Sequence, residues 1–468
     1  MNRFTDIPSS NNAELVKKQV VLNGIDIKTV TWNKISHGLF DYENSYYDMN
    51  KFNINQNTTF YRYGSEIIEV KTDIEDINQV LIRRENRLEN EAKLIPNVNS
   101  QELVKLNNPI QNTEQNEIEP SNQEENQIHV KNENIESLLP APERILSVIC
   151  TEDHNNPVRQ FIIKIDSKIE ESNKEYFPFL IVRSLKGPDG KSQRGYVLKA
   201  GDNIRLGRLD FRVLEISTGS GLSNAAELPD NDLNNILPNN IYNCETSNEI
   251  FKKKKENGEE LLCRYCLMEN ISEDPLQNLM LFLCTCNEGV HFLCLKNWMQ
   301  YKIVTKNTSS VTSYQWKKLD CEICLTPWPR KVFYAGKLHE LIWIERPTIP
   351  YIVFERPSSD SNMFSTISVI YPEENSQLQF GRGHSCQMRI TDISVSRVHS
   401  ILTRTRDKFL LFDNDSKFGT LIHLSESYPI SRSKSAVQVG RTVFTLTQRG
   451  SVNQTNLTKS TIPGQMVN

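Results

Sequence analysis

The sequence predicts a multidomain, mainly β protein that also contains one small cysteine-rich finger. Short runs of β-branched and aromatic residues, separated by polar turns, occur over 144–216 and again over 347–450. Seven of the ten cysteines lie within residues 263–324. No Phe, Tyr or Trp occurs between positions 63 and 161, where Asn, Gln and Glu dominate. This pattern indicates ordered β units, one finger and a disordered amino-terminal region.

Composition and charge limit the classes of function. Apolar residues make up only 38% of the 468 residues, which is typical of modules separated by polar linkers. The net charge, 54 − 58 = −4, is too small to indicate a nucleic-acid or membrane partner. No stretch is long and apolar enough to span a membrane, and the start of the chain lacks the apolar core of a secretory signal. We therefore expect a soluble intracellular protein, in the cytoplasm or the nucleus.

The amino-terminal third of the chain contains no motif that predicts chemistry. Residues 1–85 carry some aromatic pairs but remain poorly defined. Residues 86–143 are rich in Asn, Gln and Glu and cannot bury enough apolar surface to offset chain entropy. We predict that 86–143 is a disordered linker.

Residues 144–216 are predicted to form a small all-β module. The runs ILSVIC, QFIIKI and FPFLIVRSL favour strands, and Gly201-Asp202 marks a turn between two alternating segments. Residues 217–260 are polar and are predicted to form a linker that contains the lysine run Lys252–Lys255. This run is either a targeting patch or a solvated charge cluster, and we favour the second interpretation.

The finger, residues 261–335, carries its metal-ligand candidates in four closely spaced pairs. Zinc in structural sites takes four Cys or His ligands in a tetrahedron, and a short Cys-x(1–2)-Cys loop places two sulfurs on one ion. Eight candidates therefore predict two Zn2+ ions. The four pairs are Cys263-x2-Cys266, Cys284-x-Cys286, His291-x2-Cys294 and Cys321-x2-Cys324.

A cross-brace, in which alternate pairs share an ion, is the arrangement that we predict. The two ligand sets are then Cys263, Cys266, His291 and Cys294 for the first ion, and Cys284, Cys286, Cys321 and Cys324 for the second. Two interleaved loops closed by metal hold about 60 residues with little apolar core, so metal binding supplies much of the folding free energy. The remaining cysteines have no partner at such spacing and are predicted to be ordinary thiols: Cys150, Cys244 and Cys386.

The ligand order of four cysteines, one histidine and three cysteines resembles two families, the RING-CH finger of ubiquitin ligases and the PHD finger that reads histone tails. A single residue between Cys284 and Cys286, the helix-like segment from Cys294 through Trp298, and Leu319 before the last pair are similar to RING-CH. The gap of four residues before His291 is closer to PHD. We favour a RING-CH-type finger.

The resemblance to RING-CH implies a ubiquitin-conjugating enzyme as partner and no nucleophile in the finger, so no catalytic residue is predicted. By family position, the docking groove is formed by Tyr265, Leu267, Trp298 and Pro327. These side chains could instead form the finger's own small core. Many active RING ligases carry Arg or Lys immediately after the last ligand, where this chain has Leu325.

The carboxy-terminal region carries three motifs in a defined order: Gly381-Arg382, then Ser396-Arg397-Val398-His399, then Asp413-Asn414-Asp415-Ser416 followed by Gly419-Thr420. In these motifs residues 347–450 resemble a forkhead-associated (FHA) domain, a β-sandwich that binds phosphothreonine. The resemblance implies a threonine-phosphorylated protein as partner.

By family position, Arg382 and the Ser396 hydroxyl contact the phosphate, and Arg397 and Lys417 are neighbouring donors. The family assigns His399 a structural role beneath the binding loops. The region holds 12 Lys and Arg against 9 Asp and Glu, a balance that suits an anionic ligand. One departure is Phe418, which stands where FHA domains usually place an Asn that holds the peptide backbone.

The all-β module at 144–216 ends in a segment that resembles the closing hairpin of an FHA domain. It has no Ser-x-x-His, so we predict a degenerate FHA-like module without phosphate binding. Residues 451–468 are predicted to form a tail.

Taken together, the motifs favour a zinc-binding, phosphothreonine-binding adaptor that acts as a soluble RING-type E3 ubiquitin-protein ligase. One alternative is a non-enzymatic, phosphorylation-dependent scaffold with a structural finger. Another is a PHD-type chromatin reader, which would need an aromatic cage for methyl-lysine on the finger surface.

Overall fold

The structure is a computed structural model. The structure describes twelve segments; residues 86–141 of the predicted linker lie outside them, whereas Glu143, its last residue, begins a strand. Neither helix within these segments has the length and apolarity needed to cross a bilayer. The described segments are 17–32, 40–43, 47–63, 66–71, 142–153, 156–165, 177–186, 192–218, 223–225, 241–357, 365–430 and 434–455.

The first part of the described chain consists of strands and one short 3-10 turn, Val182–Ser184. In the first strand, buried Ile25 and Ile27 alternate with exposed Asp26 and Lys28, as expected for a strand with one packed face. The strands are β1 (Lys17–Trp32), β2 (Tyr47–Ile54), β3 (Thr58–Tyr63), β4 (Glu66–Lys71), β5 (Glu143–Asp153), β6 (Asn156–Lys164), β7 (Pro178–Ile181), β8 (Tyr196–Val197), β9 (Asn203–Leu206), β10 (Leu209–Ser217) and β11 (Ser223–Ala225).

The middle part contains two helices, α1 (Cys244–Glu256) and α2 (Phe292–Tyr301). Residues 217–260 are predicted above as a linker, but α1 occupies much of its second half. Asn243 caps α1 by accepting a hydrogen bond from the Glu245 backbone N–H at 3.1 Å. The strands of this part are β12 (Ile241–Asn243), β13 (Met280–Leu281), β14 (Val290–His291), β15 (Val304–Asn307), β16 (Val311–Trp316), β17 (Lys331–Tyr334) and β18 (Lys337–Glu340).

The last part is again built of strands. Strand β28 continues to Thr455, so the predicted tail over 451–468 begins inside a strand. The strands are β19 (Tyr351–Arg356), β20 (Ser365–Ile370), β21 (Gln377–Gly381), β22 (Met388–Arg389), β23 (Ser400–Thr405), β24 (Lys408–Asp413), β25 (Thr420–His423), β26 (Tyr428–Pro429), β27 (Ser435–Val439) and β28 (Thr442–Thr455).

One long sheet organises the described residues. Its hydrogen-bonded order is β15-β16-β20-β19-β10-β9-β25-β7-β27-β28-β1-β2, with β11 beside β10. Two five-stranded sheets, β22-β21-β23-β24-β8 and β26-β6-β5-β3-β4, pack against it. Phe354 on the long sheet meets Phe380 at a ring distance of 5.8 Å, and Phe60 meets Phe444 at 5.6 Å. The mainly β fold class is therefore confirmed.

Strands from the two predicted β modules alternate in this sheet. Strand β10 pairs with β19, and β25 lies between β9 and β7. Residues 144–216 and 347–450 therefore contribute strands to one sheet, whereas the sequence analysis treats them as separate modules. The physical reason is that alternation of apolar residues predicts a strand and its buried face, but not the strand that becomes its neighbour.

Strand β19 is buried on both faces. Ile352 and Phe354 point into the sandwich core, whereas Tyr351 and Val353 point into a second core that belongs to the finger. Because neither face meets water, the first four residues of the strand, YIVF, are all apolar rather than alternating with polar residues.

The finger is joined to the sandwich through the same sheet. Between the third and fourth ligand pairs the chain forms the hairpin β15–β16, and β16 pairs with β20 from Val311↔Ile370 to Trp316↔Ser365. Tyr314 and Trp316 of β16 are buried in the finger core. The finger is therefore continuous with the edge of the long sheet.

Candidate functional site

The loops of the first and fourth ligand pairs of the finger have the same backbone geometry. Cys263 accepts a backbone hydrogen bond from Leu267 at 2.7 Å, and Cys321 accepts one from Leu325 at 2.9 Å. Leu267 and Leu325 both have left-handed backbones, with φ of 59° and 60°. Each loop turns tightly around the point where its two sulfurs converge.

The first group of candidate ligands brings together Cys263, Cys266, His291 and Cys294, with all ligand atoms within 4.8 Å of one another. The His291 Nδ1 lies 3.4 Å from the Cys266 sulfur and 3.9 Å from the Cys294 sulfur. The opposite ring nitrogen, Nε2, lies 2.9 Å from the Glu269 carbonyl oxygen and donates to it. This hydrogen bond fixes the tautomer that leaves Nδ1 free to bind a metal.

The second group brings together Cys284, Cys286, Cys321 and Cys324 within the same limit of 4.8 Å. The Arg264 guanidinium lies 3.1 Å from the Cys321 sulfur, where it stabilises a thiolate. Hydrogen bonds from the Thr285 and Thr326 side chains lower the pKa of the Cys324 thiol to about 4. These contacts favour the deprotonated forms of Cys321 and Cys324, which metal binding requires.

Both groups fit zinc. A Zn–S bond of about 2.3 Å in a tetrahedron separates two sulfurs by roughly 3.8 Å. The Cys321 sulfur lies 3.7 Å from that of Cys284 and 3.8 Å from that of Cys286. The interleaved grouping of pairs one with three and two with four is thereby confirmed, and each group could hold one ion.

The predicted docking residues of the finger fall into two sets. Tyr265 and Trp298 come together, since their rings stack at 6.0 Å with an interplanar angle of 22°. The Lys302 ammonium lies over Trp298 at 5.2 Å. Leu267 and Pro327 lie exposed on the loops of the first and fourth ligand pairs. The Tyr265 and Trp298 rings are only half-buried, so they contribute to the finger core and also reach its surface.

The sequence analysis missed further apolar side chains on this surface. Ile323 within the fourth pair is 65% exposed, close to the 70% and 71% of Leu325 and Leu267, which the sequence already singles out. Tyr301, at the end of α2, is 87% exposed. The Cys-x-x-Cys spacing could have predicted the exposure of Ile323 and Leu325, because the residues inside and just after a zinc loop point away from the metal.

In the carboxy-terminal region, the backbone brings two of the predicted motifs together. The Arg382 N–H donates to the Ser396 carbonyl at 3.0 Å, and the Gly383 N–H donates to the Arg397 carbonyl at 2.9 Å. Gly381 is required here, because a Cβ at this position would lie 2.3 Å from the Arg397 carbonyl oxygen. The side chains of Arg382 and Arg397 are exposed on this rim.

The third motif reaches the same rim through Lys417. Its backbone N–H donates to the Ser396 hydroxyl oxygen at 3.0 Å, which leaves the hydroxyl hydrogen available to a ligand. The predicted phosphate donors Arg382, Ser396, Arg397 and Lys417 are thus carried by three backbone segments tied directly to one another.

His399 lies beneath these loops and is fully buried. Its Nδ1 accepts from the Ser396 N–H at 3.1 Å, and its Nε2 donates to the Gly419 carbonyl at 3.0 Å. Burial holds the pKa of the imidazole below its usual range, so the ring stays neutral and can accept and donate at once. Its contacts fit the structural role that the family resemblance implies.

Asp413 fastens the loop that contains Lys417. Its Oδ1 accepts from the Ser416 hydroxyl at 2.6 Å and from the Thr420 hydroxyl and N–H at 2.7 and 2.8 Å. Its Oδ2 lies 2.9 Å from the Arg183 guanidinium, which also donates to the Ser416 carbonyl. The sequence analysis missed Arg183, because it lies more than two hundred residues from its partners.

Phe418 is buried and does not offer the amide that an FHA domain usually places there. The neighbouring Gly419 has φ of +77°, and a Cβ on it would lie 2.8 Å from the Tyr42 ring. Tyr42 and its neighbour Asp41 therefore reach the loop from the far amino-terminal part of the chain, a contact that no motif predicts.

Comparison with known protein families matches residues 378–437 to the FHA domain. Neither the curated proteins nor the solved structures contain a significant match to the chain. The matched range runs from β21 to β27 and contains all three motifs, those around Arg382, His399 and Asp413. An FHA domain implies phosphopeptide binding. The chain thus carries an FHA domain at 378–437, together with two interleaved Cys and His groups that could each hold a metal ion.

Proposed function

We propose that this protein binds threonine-phosphorylated partners at the rim formed by Arg382, Ser396, Arg397 and Lys417. The observation that carries the proposal is the pair of backbone hydrogen bonds that holds Arg382 beside Ser396. The side chains of Arg382 and Arg397 stay exposed in this arrangement. Preorganised donors of this kind suit a phosphate group, because little ordering entropy remains to be lost on binding. Because Phe418 stands in place of the Asn that usually holds the peptide backbone, recognition depends more on the phosphate itself.

The test is binding of a phosphothreonine peptide library to the full-length protein and to the Arg382→Ala variant. Removing one charge-assisted contact costs about 1.5–3 kcal/mol, so affinity should fall roughly 10- to 150-fold. The matched control is Lys408→Ala, which removes an exposed cation on the same domain at the start of β24 and should leave binding unchanged. Equal binding of phosphorylated and unphosphorylated libraries by the wild type would refute the proposal.

For the finger, we propose a cross-brace of the RING-CH type that holds two Zn2+ ions and docks a ubiquitin-conjugating enzyme. Support comes from the exposed apolar residues on the first and fourth loops and from the stacked pair of Tyr265 and Trp298. The Arg264 contact to Cys321 ties the two loops together, and the ion pair of Lys302 with Glu322 at 3.7 Å ties the end of α2 to the fourth loop. In such a protein the FHA domain selects the substrate and the finger recruits the enzyme that carries ubiquitin.

One observation favours a second function, that of a non-enzymatic scaffold. Leu325 is 70% exposed at the position where active RING ligases carry a clamping cation. A leucine there contributes to an apolar protein-binding surface but cannot stabilise a charged thioester complex. For the PHD alternative, the Trp298 face is already covered by Lys302, an arrangement that leaves this face closed to a methyl-lysine ligand.

Ligase and scaffold are distinguished by autoubiquitination with a panel of conjugating enzymes, using wild type, Cys263→Ser and Trp298→Ala. For a working RING, Trp298→Ala abolishes transfer while elemental analysis still finds two zinc ions. If Trp298 serves only as core, zinc binding weakens in the same variant. If the wild type transfers no ubiquitin but Leu325→Arg does, the groove is intact and only the clamp is missing.

A further inference from the structure

The connection between β1 and β2 contributes to the rim of the candidate phosphopeptide site. Its described part, residues 40–43, is called the strap below. The Tyr42 N–H donates to the Lys417 carbonyl at 3.0 Å, so the strap is bonded directly to the loop that carries one of the predicted phosphate donors.

The strap is firmly anchored at its own position. Phe40 is 7% exposed and packs with Trp32, Phe179 and Leu421 on the outer face of the long sheet. The Tyr42 hydroxyl donates to Gln438 Oε1 at 2.8 Å, and the Arg183 guanidinium lies 4.6 Å from the Tyr42 ring centre. The residue between these two anchors, Asp41, therefore has little freedom to move away from the site.

Asp41 faces Lys417. Its Oδ2 lies 3.3 Å from the Lys417 ammonium, and the side chains are 7% and 44% exposed, respectively. The Glu43 N–H holds the other oxygen, Oδ1, at 3.0 Å. The carboxylate is thus fixed against the ammonium, which also lies 5.5 Å from the centre of the Phe418 ring, while 44% of the Lys417 side chain remains exposed.

We propose that Asp41 is an intramolecular competitor for Lys417 that sets the affinity of the phosphopeptide site. This inference rests on the proposed phosphothreonine binding. The carboxylate offsets the charge of one of the three cations on the rim, and it repels a phosphate, whose charge is about −1.5 to −2, more than it repels a neutral threonine. A ligand gains the full contribution of Lys417 only when it draws the ammonium away from Asp41.

The test is the affinity of one phosphothreonine peptide, selected from the library, for four full-length proteins: wild type, Asp41→Asn, Lys417→Met and the double variant. We expect Asp41→Asn to bind on the order of 5-fold more tightly, as for other partly exposed ion pairs. Most of the gain should disappear in the Lys417→Met background, because the competition for the ammonium is then absent and only the direct repulsion between Asp41 and the phosphate remains. A purely structural role of Asp41 would not produce this dependence on Lys417.

The matched control is Glu43→Gln, which removes the same charge from an exposed position on the same strap and should leave affinity unchanged. Unchanged or weaker binding by Asp41→Asn, with the wild type binding normally, would overturn the inference and leave the proposed function standing. If Asp41→Asn binds the peptide and the wild type does not, the inference is supported strongly. If neither the wild type nor Asp41→Asn binds it, both proposals are overturned.

A measurement on the wild type covers the case in which Asp41→Asn does not fold. If the phosphate displaces the carboxylate, the amide resonances of Tyr42 and Glu43 should shift on titration with the phosphopeptide. Unshifted strap resonances at saturation would contradict the competition.

Discussion

At the scale of single residues, the candidate phosphopeptide site depends on buried polar groups that have partners. Asp413 is completely buried and accepts three strong hydrogen bonds from Ser416 and Thr420. Its negative charge is offset by Arg183, which is 25% exposed. An unpaired charge in this position is costly, so we infer that the shape of the Lys417 loop depends on an arginine outside the matched FHA range.

We predict that Arg183→Ala lowers the free energy of unfolding by about 2–4 kcal/mol, since it leaves the Asp413 carboxylate buried without its cation. Urea unfolding of the full-length protein measures this loss. Asp210→Ala is the matched control: it breaks the exposed pair with Arg205, at 2.7 Å, and should cost less than about 1 kcal/mol. Equal losses in the two variants would show that the charge pairing at Asp413 is not important for stability.

At the scale of secondary-structure elements, the hairpin β15–β16 connects the finger to the sandwich. Its second strand pairs along its whole length with β20, while Tyr314 and Trp316 are buried in the finger core. Next to it, the Arg330 guanidinium of the finger region binds the buried carboxylate of Glu355 on β19. Folding of the finger and order at this edge of the sheet should therefore be coupled.

We predict that chelation of zinc increases amide hydrogen exchange in β16 and β20 but not in β23 and β24. The reason is that loss of metal releases the finger core, which buries one face of the edge strands, whereas β23 and β24 belong to the opposite sheet. Hydrogen exchange followed by mass spectrometry measures both sets in one experiment.

The control for this prediction is Cys150→Ser, which changes a cysteine outside both ligand groups and should leave the pattern of exchange unaltered. Cys321→Ser should reproduce the effect of the chelator. Unchanged protection of β20 after zinc removal would mean that the sandwich edge is stable without the finger.

At the scale of the whole molecule, the FHA sandwich is assembled from distant parts of the chain. Within the long sheet, β25 lies between β9 and β7, β19 lies beside β10, and β28 lies between β27 and β1. Residues 347–450 contain β25 but none of its neighbours in the sheet. The range that resembles an FHA domain is thus shorter than the range that forms the sandwich.

We predict that residues 347–450 expressed alone do not fold, whereas residues 17–455 do. The isolated fragment would leave the backbone hydrogen-bonding groups of β25 without partners in the middle of the sheet. It would also lose Ile204, Leu206 and Phe211, which pack around Phe354 and Phe380 in the sandwich core. Dispersion of amide resonances distinguishes the two outcomes. A well-dispersed spectrum of the 347–450 fragment would disprove the need for the earlier strands.

The sequence alone determined the features that depend on local spacing and residue chemistry. Short ligand pairs such as Cys263-x2-Cys266 bring two ligand atoms close enough to share one ion, and the alternation of pairs predicted which groups come together. In the same way, Gly381-Arg382 and Ser396-x-x-His399 identified the FHA rim, since each motif forms within a single turn or strand end. Buried faces of strands followed from their apolar periodicity.

Only the tertiary structure decided which distant segments meet. The strand order of the long sheet, the pairing of Arg183 with Asp413 and the contact of Asp41 with Lys417 all join residues hundreds of positions apart. A strand specifies which of its faces is buried, but its backbone can pair equally well with many partners. The choice among them is made by the packing of the complete core, and single residues such as Asp41 acquire their role only once that core has formed.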